Sequence, residues 1–424
     1  MRRVGPPAVL ALAVALVLTA CGPATTSAGR AAGAAVTITW WDTSDPVTES
    51  PTFRTLVHDF EEVNPGIEVE YVSVPFTEAR ARFEAASGKD APDVLRADVG
   101  WTAGLAQAGR LVPLDGTEAA ADIAEFEPQL IEQARYGGRL YAVPQSTDVL
   151  ALLYNKRLFA AAGLSGPPAT WSDLKAAAAV IKARTGADGF ALHVQGYYAM
   201  PFLYGEDVDL VDVPDRTITV NSPAAVKAVT GLKALVSAPG VTKDDGTPQG
   251  RAALLAAFSA GRVAAVVEGP WENANVTRGA AFADRGNLGI APVPAGGSGR
   301  AGSPLGGHNL VVSAAADAEH RAAAEKFVAF MTSANAQTWT AVRNSTLPTR
   351  SDATTSYVEA NPGVIGFRKV LPVGRPRAAL AEYGSLYDLF GAELVSILDG
   401  RESVRAGLDR AAEQARTLLP DYRS

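Results

Sequence analysis

The sequence predicts an α/β protein of two lobes, each a mostly parallel sheet flanked by helices, and three observations carry that expectation. A β-branched, aromatic run, Val36-Thr37-Ile38-Thr39-Trp40-Trp41, precedes a segment whose apolar residues recur at helical spacing. The same alternation of strand and helix then repeats along the chain, which builds right-handed βαβ units and a mainly parallel sheet. About 390 residues lie beyond position 35, too many for one compact core and a natural length for two.

Ahead of the first strand, Met1-Arg2-Arg3 leads into the apolar run Ala8 to Ala20 and stops at Leu18-Thr19-Ala20-Cys21-Gly22. A charged start, a short apolar stretch and small residues at the cut describe an export signal over residues 1–20, too short to span a bilayer. Cys21 is the single cysteine of the 424 residues, so it has no partner for an intrachain disulfide. Leu-x-Ala-Cys resembles the bacterial lipoprotein box. That resemblance implies a diacylated Cys21 at the start of the mature protein, holding it on the outer face of the cell membrane. Residues 21–35 are mostly Ala, Gly, Ser, Thr and Pro and read as a flexible tether.

Within the fold, Thr52 to Val63 places Phe53, Leu56, Val57 and Phe60 on one helical face, and Asn64-Pro65-Gly66 ends that helix. Ile67 to Val72 alternates as a second strand, Thr77 to Ala86 reads as a helix, and Asp93 to Ala97 as a third strand. Ligands of such sheets collect at the carboxyl ends of the strands, which singles out Trp41, Asp42, Ser44 and Asp45, then Asp98 and Trp101. Further helices are expected at Trp171 to Thr185, Pro223 to Ser237, Gln249 to Ala260, Asp317 to Thr332, Leu380 to Leu398 and Val404 to Leu419. Strands are expected between them at Leu140 to Val143, Val263 to Glu268 and Asn309 to Ser313. Gly297-Ser298-Gly299-Arg300-Ala301-Gly302 satisfies the dinucleotide pattern GxGxxG, yet proline-rich chain flanks it on both sides where a strand and a helix are needed, so it reads as a loop.

Charge and motif narrow the function. Lys and Arg number 38 against 45 Asp and Glu, a net charge of −7 with no basic cluster, which argues against nucleic acid as a partner. The four histidines, His58, His193, His308 and His320, have no metal-ligand spacing, and GxSxG, HExxH and P-loop signatures are missing, so no cofactor or metal is expected. A secreted glycoside hydrolase would pair two carboxyl groups across a cleft, and nothing in the spacing fixes such a pair.

An ordered series of segments carries a family resemblance. It begins with Ile38-Thr39-Trp40-Trp41 and Glu62-Val63-Asn64-Pro65-Gly66, and continues through Ala91-Pro92-Asp93-Val94 and Leu105 to Asp115. Leu140-Tyr141-Ala142-Val143-Pro144, Leu153-Tyr154-Asn155-Lys156 and Thr170-Trp171-Ser172-Asp173-Leu174 follow. Glu268-Gly269-Pro270-Trp271, Gly306-Gly307, Leu347-Pro348-Thr349-Arg350 and Asp399-Gly400-Arg401 close it. In this order they resemble the extracytoplasmic sugar-binding proteins of bacterial ABC importers, in the branch of the maltose- and trehalose-binding proteins.

The resemblance implies a periplasmic-binding-protein-like fold with the ligand cleft at a hinge. The lobes would be 36–143 plus 304–333 and 144–303 plus 334–424, with crossings near 143–147, 303–307 and 332–336. Hinge closure over an oligosaccharide such as maltose or maltodextrin, or in the alternative trehalose, would then present a monomer to the permease subunits. Carried over residue by residue, the ring-stacking positions fall on Tyr198, with Tyr197 beside it, on Trp271 and on Tyr387, and the second-lobe carboxylate on Asp148. On the first lobe Asp98 and Trp101 occupy the loop where such receptors place a sugar-binding Asp. Ser44-Asp45 and Gly100-Trp101 stand where the best-known maltodextrin receptor offers acidic and basic residues.

Overall fold

The computed structural model describes residues 35–378 and 380–423. Cys21, the export signal and nearly all of the expected tether lie outside the described residues. Two large sheets organise the rest. In the first, the strand order is Gly374–Arg375, Ser303–Val312, Val94–Asp98, Val36–Asp42 and Ile67–Ser73, with Val143–Val149 also pairing along Ser303–Val312. In the second the order is Val241–Lys243, Phe190–Leu192, Ala265–Glu268, Ala151–Asn155 and Leu288–Ala291.

Both sheets are mixed rather than mostly parallel, which corrects the expectation. Val36–Asp42 runs parallel to both of its neighbours, but Ser303–Val312 is antiparallel to Val94–Asp98 and to Val143–Val149. Ala151–Asn155 is likewise antiparallel to Ala265–Glu268 and Leu288–Ala291. The physical reason is that strand and helix alternation reports only how consecutive elements connect. The antiparallel partners return from more than a hundred residues away, and no local period records that.

Apolar spacing places the helices well. Phe53, Leu56, Val57 and Phe60 are the buried face of Ser50–Val63, and the Asn64 side chain donates to Phe60 O at 2.9 Å where the helix stops. Trp171–Thr185 begins at a reciprocal cap between Thr170 and Asp173. Around the first sheet one core draws on residues 38–143 and 310–336; beside the second, another draws on 150–267 and 383–419. The helix Gly196–Gly205 and the strand Ala151–Asn155 were not foreseen. Gly297 to Gly302 forms turns and runs into the strand Ser303–Val312 where a dinucleotide fingerprint requires a helix. No described helix is long and apolar enough to cross a membrane.

The two sheets meet where Val143–Val149 runs on into Ala151–Asn155. Gly306 and Gly307 lie opposite Asp148 and Thr147, and Thr147 N also donates to Leu347 O at 3.0 Å. Gln337 ties the same region together, donating through Nε2 to Pro144 O at 3.3 Å and accepting from Thr349 N at 2.7 Å. Three chain segments distant in sequence are thus tied together by hydrogen bonds.

The first core hangs on Trp40, fully buried with its ring 5.9 Å from Phe53, 5.3 Å from Tyr71 and 5.1 Å from Phe327. Trp40→Ala is expected to lose about 3–5 kcal/mol of stability, read as a lower urea midpoint.

Candidate functional site

Asp148 sits on Val143–Val149 directly opposite Gly306. A Cβ at position 306 would stand 2.2 Å from Asp148 Oδ1 and 2.7 Å from Tyr197 Oη, so only glycine leaves room for this carboxylate and phenol. The Tyr197 hydroxyl donates to Asp148 Oδ1 at 3.4 Å from the start of Gly196–Gly205. Burial pushes the Asp148 carboxyl up to about 7; Arg377 opposes that shift and Asp98 adds to it.

Arg377 is buried. It grips Asp98 with both nitrogens of its fork, Nη1 at 2.8 Å from Oδ1 and Nη2 at 3.2 Å from Oδ2, while Nε donates to Leu305 O at 3.2 Å. Burial is the largest influence and works against the guanidinium charge, but Asp98 together with Tyr387 and Tyr197 raises the group above its ordinary value, so it stays ionised. Its Cζ lies 5.7 Å from the centre of the Tyr197 ring. Tyr387, from Tyr383–Leu398, meets Tyr197 edge-on at 5.8 Å, and its hydroxyl has no partner among the described residues. Asp98, Asp148, Tyr197 and Tyr387 are therefore brought together around Arg377.

Tyr198 and Trp271 form an adjoining group. The Tyr198 hydroxyl donates to Glu268 Oε1 at 2.8 Å, and Arg251 Nη2 donates to Glu268 Oε2 and to Glu272 Oε1, each at 2.9 Å. Burial raises the Glu268 carboxyl above its ordinary range and Arg251 opposes it. The half-buried Trp271 ring folds back over its own loop, and a Cβ at Gly269 would fall 2.0 Å from Trp271 Cζ3. The Glu-Gly-Pro-Trp segment owes its glycine to that contact.

The remaining expected residues make contacts of their own. Trp41 is buried in the first core with the Arg82 guanidinium 5.2 Å from its ring. The Ser44 hydroxyl is committed to Asp42 and, at 3.0 Å, to Ser50. Asp45 caps its own turn, accepting from Val47 N at 2.9 Å and Thr48 N at 2.7 Å. Trp101 is buried, its ring 4.9 Å from that of Phe76. Among the described residues no group of three or more His, Cys, Asp or Glu is arranged to hold a metal. Arg251 was not singled out by sequence, and the one available signal for this group was the Glu at the head of Glu268-Gly269-Pro270-Trp271.

Residues 44–338 match the family model of the bacterial extracellular solute-binding protein. The chain belongs to that family. It is 40% identical to the GacH receptor of Streptomyces glaucescens, solved unliganded and with acarbose and an acarbose homolog, over 92% of this chain and all of that one, with a TM-score of 0.87. It is 25% identical to maltose-bound MalE3 of T. maritima over 91% of this chain and all of that one, with a TM-score of 0.81. A relative in Deinococcus radiodurans, a "Probable ABC transporter-binding protein", is 29% identical over 70% of this chain and 68% of its own length. The fold is therefore the two-lobed one of extracytoplasmic solute-binding proteins.

Because Asp148 holds its proton to a higher pH folded than unfolded, the native state binds the extra proton between the ordinary carboxylate range and about 7. Its contribution to stability is therefore present at low pH and is lost as pH rises through that window. Asp148→Asn is expected to flatten this part of the stability profile, measured by denaturant unfolding from about pH 5 to about pH 8.

Proposed function

We propose that the protein is the substrate-binding component of an ABC sugar importer, capturing an oligosaccharide of the maltose type and delivering it to the membrane permease. The observation that carries this reading is the Asp98–Arg377 pair, with its arginine buried, set against Asp148 and the Tyr197 and Tyr387 rings. A neutral sugar needs aromatic faces for its C–H surfaces and ionised groups for its hydroxyls, and both kinds converge here. Likeness to a receptor solved with acarbose and to a maltose-bound protein supports an oligosaccharide as the cargo.

The ligand contacts would be Asp98, Asp148, Tyr197, Tyr198, Trp271 and Tyr387, with Arg377 added to those named from sequence. Hinge motion would act on the paired strands Val143–Val149 and Ser303–Val312, between lobes 36–143 plus 304–333 and 144–303 plus 334–424. Binding selects the closed state, and the permease reads that shape. Acylation of Cys21 would keep the monomeric receptor on the outer face of the membrane, and detection of a diacylglyceryl-modified amino-terminal peptide by mass spectrometry would test it.

Calorimetric titration of the purified protein with maltose, maltotriose, trehalose, cellobiose and acarbose, run beside a product assay, tests the receptor reading. Saturable binding without product is expected; turnover would point to a hydrolase. Trp271→Ala is expected to cost about 2 kcal/mol or more of binding energy in the same titration. Unchanged affinity would remove Trp271 from the site.

A further inference from the structure

Phe76 opens the helix Phe76–Ala85, on which Ala79 and Phe83 are the buried residues. Positions 76, 79 and 83 share one helical face, so Phe76 continues the apolar stripe beyond the point where the core covers it. It is left 43% exposed. Its ring is not loose, because it lies 4.9 Å from the buried Trp101 ring at an interplanar angle of 33° and 6.0 Å from the His308 ring, edge-on.

This stack is continuous with the site already described. His308 pairs in register with Asp98, whose carboxylate is held by Arg377, which in turn lies against Tyr197. Phe76 and Trp101 are therefore linked through His308 and Asp98 to the lining of that site. Burial, with Arg96 and Arg377 nearby, holds the His308 pKa well below its ordinary value, so the imidazole is neutral at physiological pH. Its Nε2 has no hydrogen-bond partner among the described residues. An exposed aromatic face on a rigid backing, next to an uncharged imidazole, suits the C–H face of a pyranose ring. Charged or phosphorylated groups would find nothing to bind in the stack itself.

We infer that Phe76, backed by Trp101 and flanked by His308, is a stacking platform for an additional, outer pyranose ring of the bound oligosaccharide. The inference rests on the sugar-receptor reading and makes Phe76 a determinant of the chain length recognised. Because the ring is exposed, truncating it removes little from the fold.

Phe76→Ala and Phe76→Trp, as full-length chains, would be titrated beside the wild type with maltose, maltotriose, maltotetraose and maltopentaose. Unliganded melting temperatures would be recorded for all three proteins. For Phe76→Ala the loss of affinity is expected to grow with chain length, from under about three-fold for the disaccharide to about ten-fold or more for the longest sugar bound. Phe76→Trp should keep the wild-type order of affinities, and neither substitution should shift the melting temperature. If the wild type binds none of these sugars, the receptor reading itself falls. If it binds them and Phe76→Ala binds every length as tightly, the platform alone is overturned. An equal loss at every length would put Phe76 under an inner ring and overturn the outer-ring assignment. Normal binding with lost uptake would make the stack a permease contact instead.

Discussion

The close approach of two antiparallel strands, Val143–Val149 and Ser303–Val312, is the constraint on which the rest of the molecule depends. Gly306 lies opposite Asp148 in that ladder, and the missing side chain is the space into which the carboxylate and the Tyr197 hydroxyl fit. One strand leads directly into the second sheet; the other carries His308 and Asn309 back along Val94–Asp98 in the first. The same backbone contact thus joins the two sheets and builds the floor of the candidate site. Hydrogen bonds through Gln337, Leu347 and Thr349 support it laterally.

Charge is retained inside the site only where a partner is fixed. Arg377 and Asp98 meet with the two-point geometry that repays desolvation, and behind Tyr198 a single nitrogen of Arg251, Nη2, bridges Glu268 and Glu272. Asp148 is the exception. It accepts one long hydrogen bond, and burial leaves its affinity for a proton high. A hydroxyl brought beside it by a ligand would supply what the protein withholds, so this carboxylate gains most from occupancy of the cleft. The tyrosine rings around it are held edge-to-face, which fixes their orientation before any ligand arrives.

Much of the molecule is legible in the chain because it is local. Helical spacing located Ser50–Val63, Trp171–Thr185 and Val404–Leu418 to within a residue or two, since an apolar stripe must face a core wherever the helix goes. Sheet orientation was misread because strand pairing is decided by partners far away in the chain. Arg377 shows the same limit at the scale of one side chain: it stands in a proline-flanked segment without periodicity, and only the fold reveals that Asp98 is its neighbour.

By itself the sequence determined the fold class, the export signal as an expectation, the family and the residue types gathered at strand ends, all of which are written in spacing and order. Tertiary structure alone decided which of those residues meet. Trp41, Ser44 and Asp45 satisfy their own surroundings, whereas Asp98, Asp148, Tyr197 and Tyr387 converge on an arginine from the far end of the chain. Convergence depends on long-range packing and on the desolvation it imposes, and neither leaves a periodic trace in the order of amino acids.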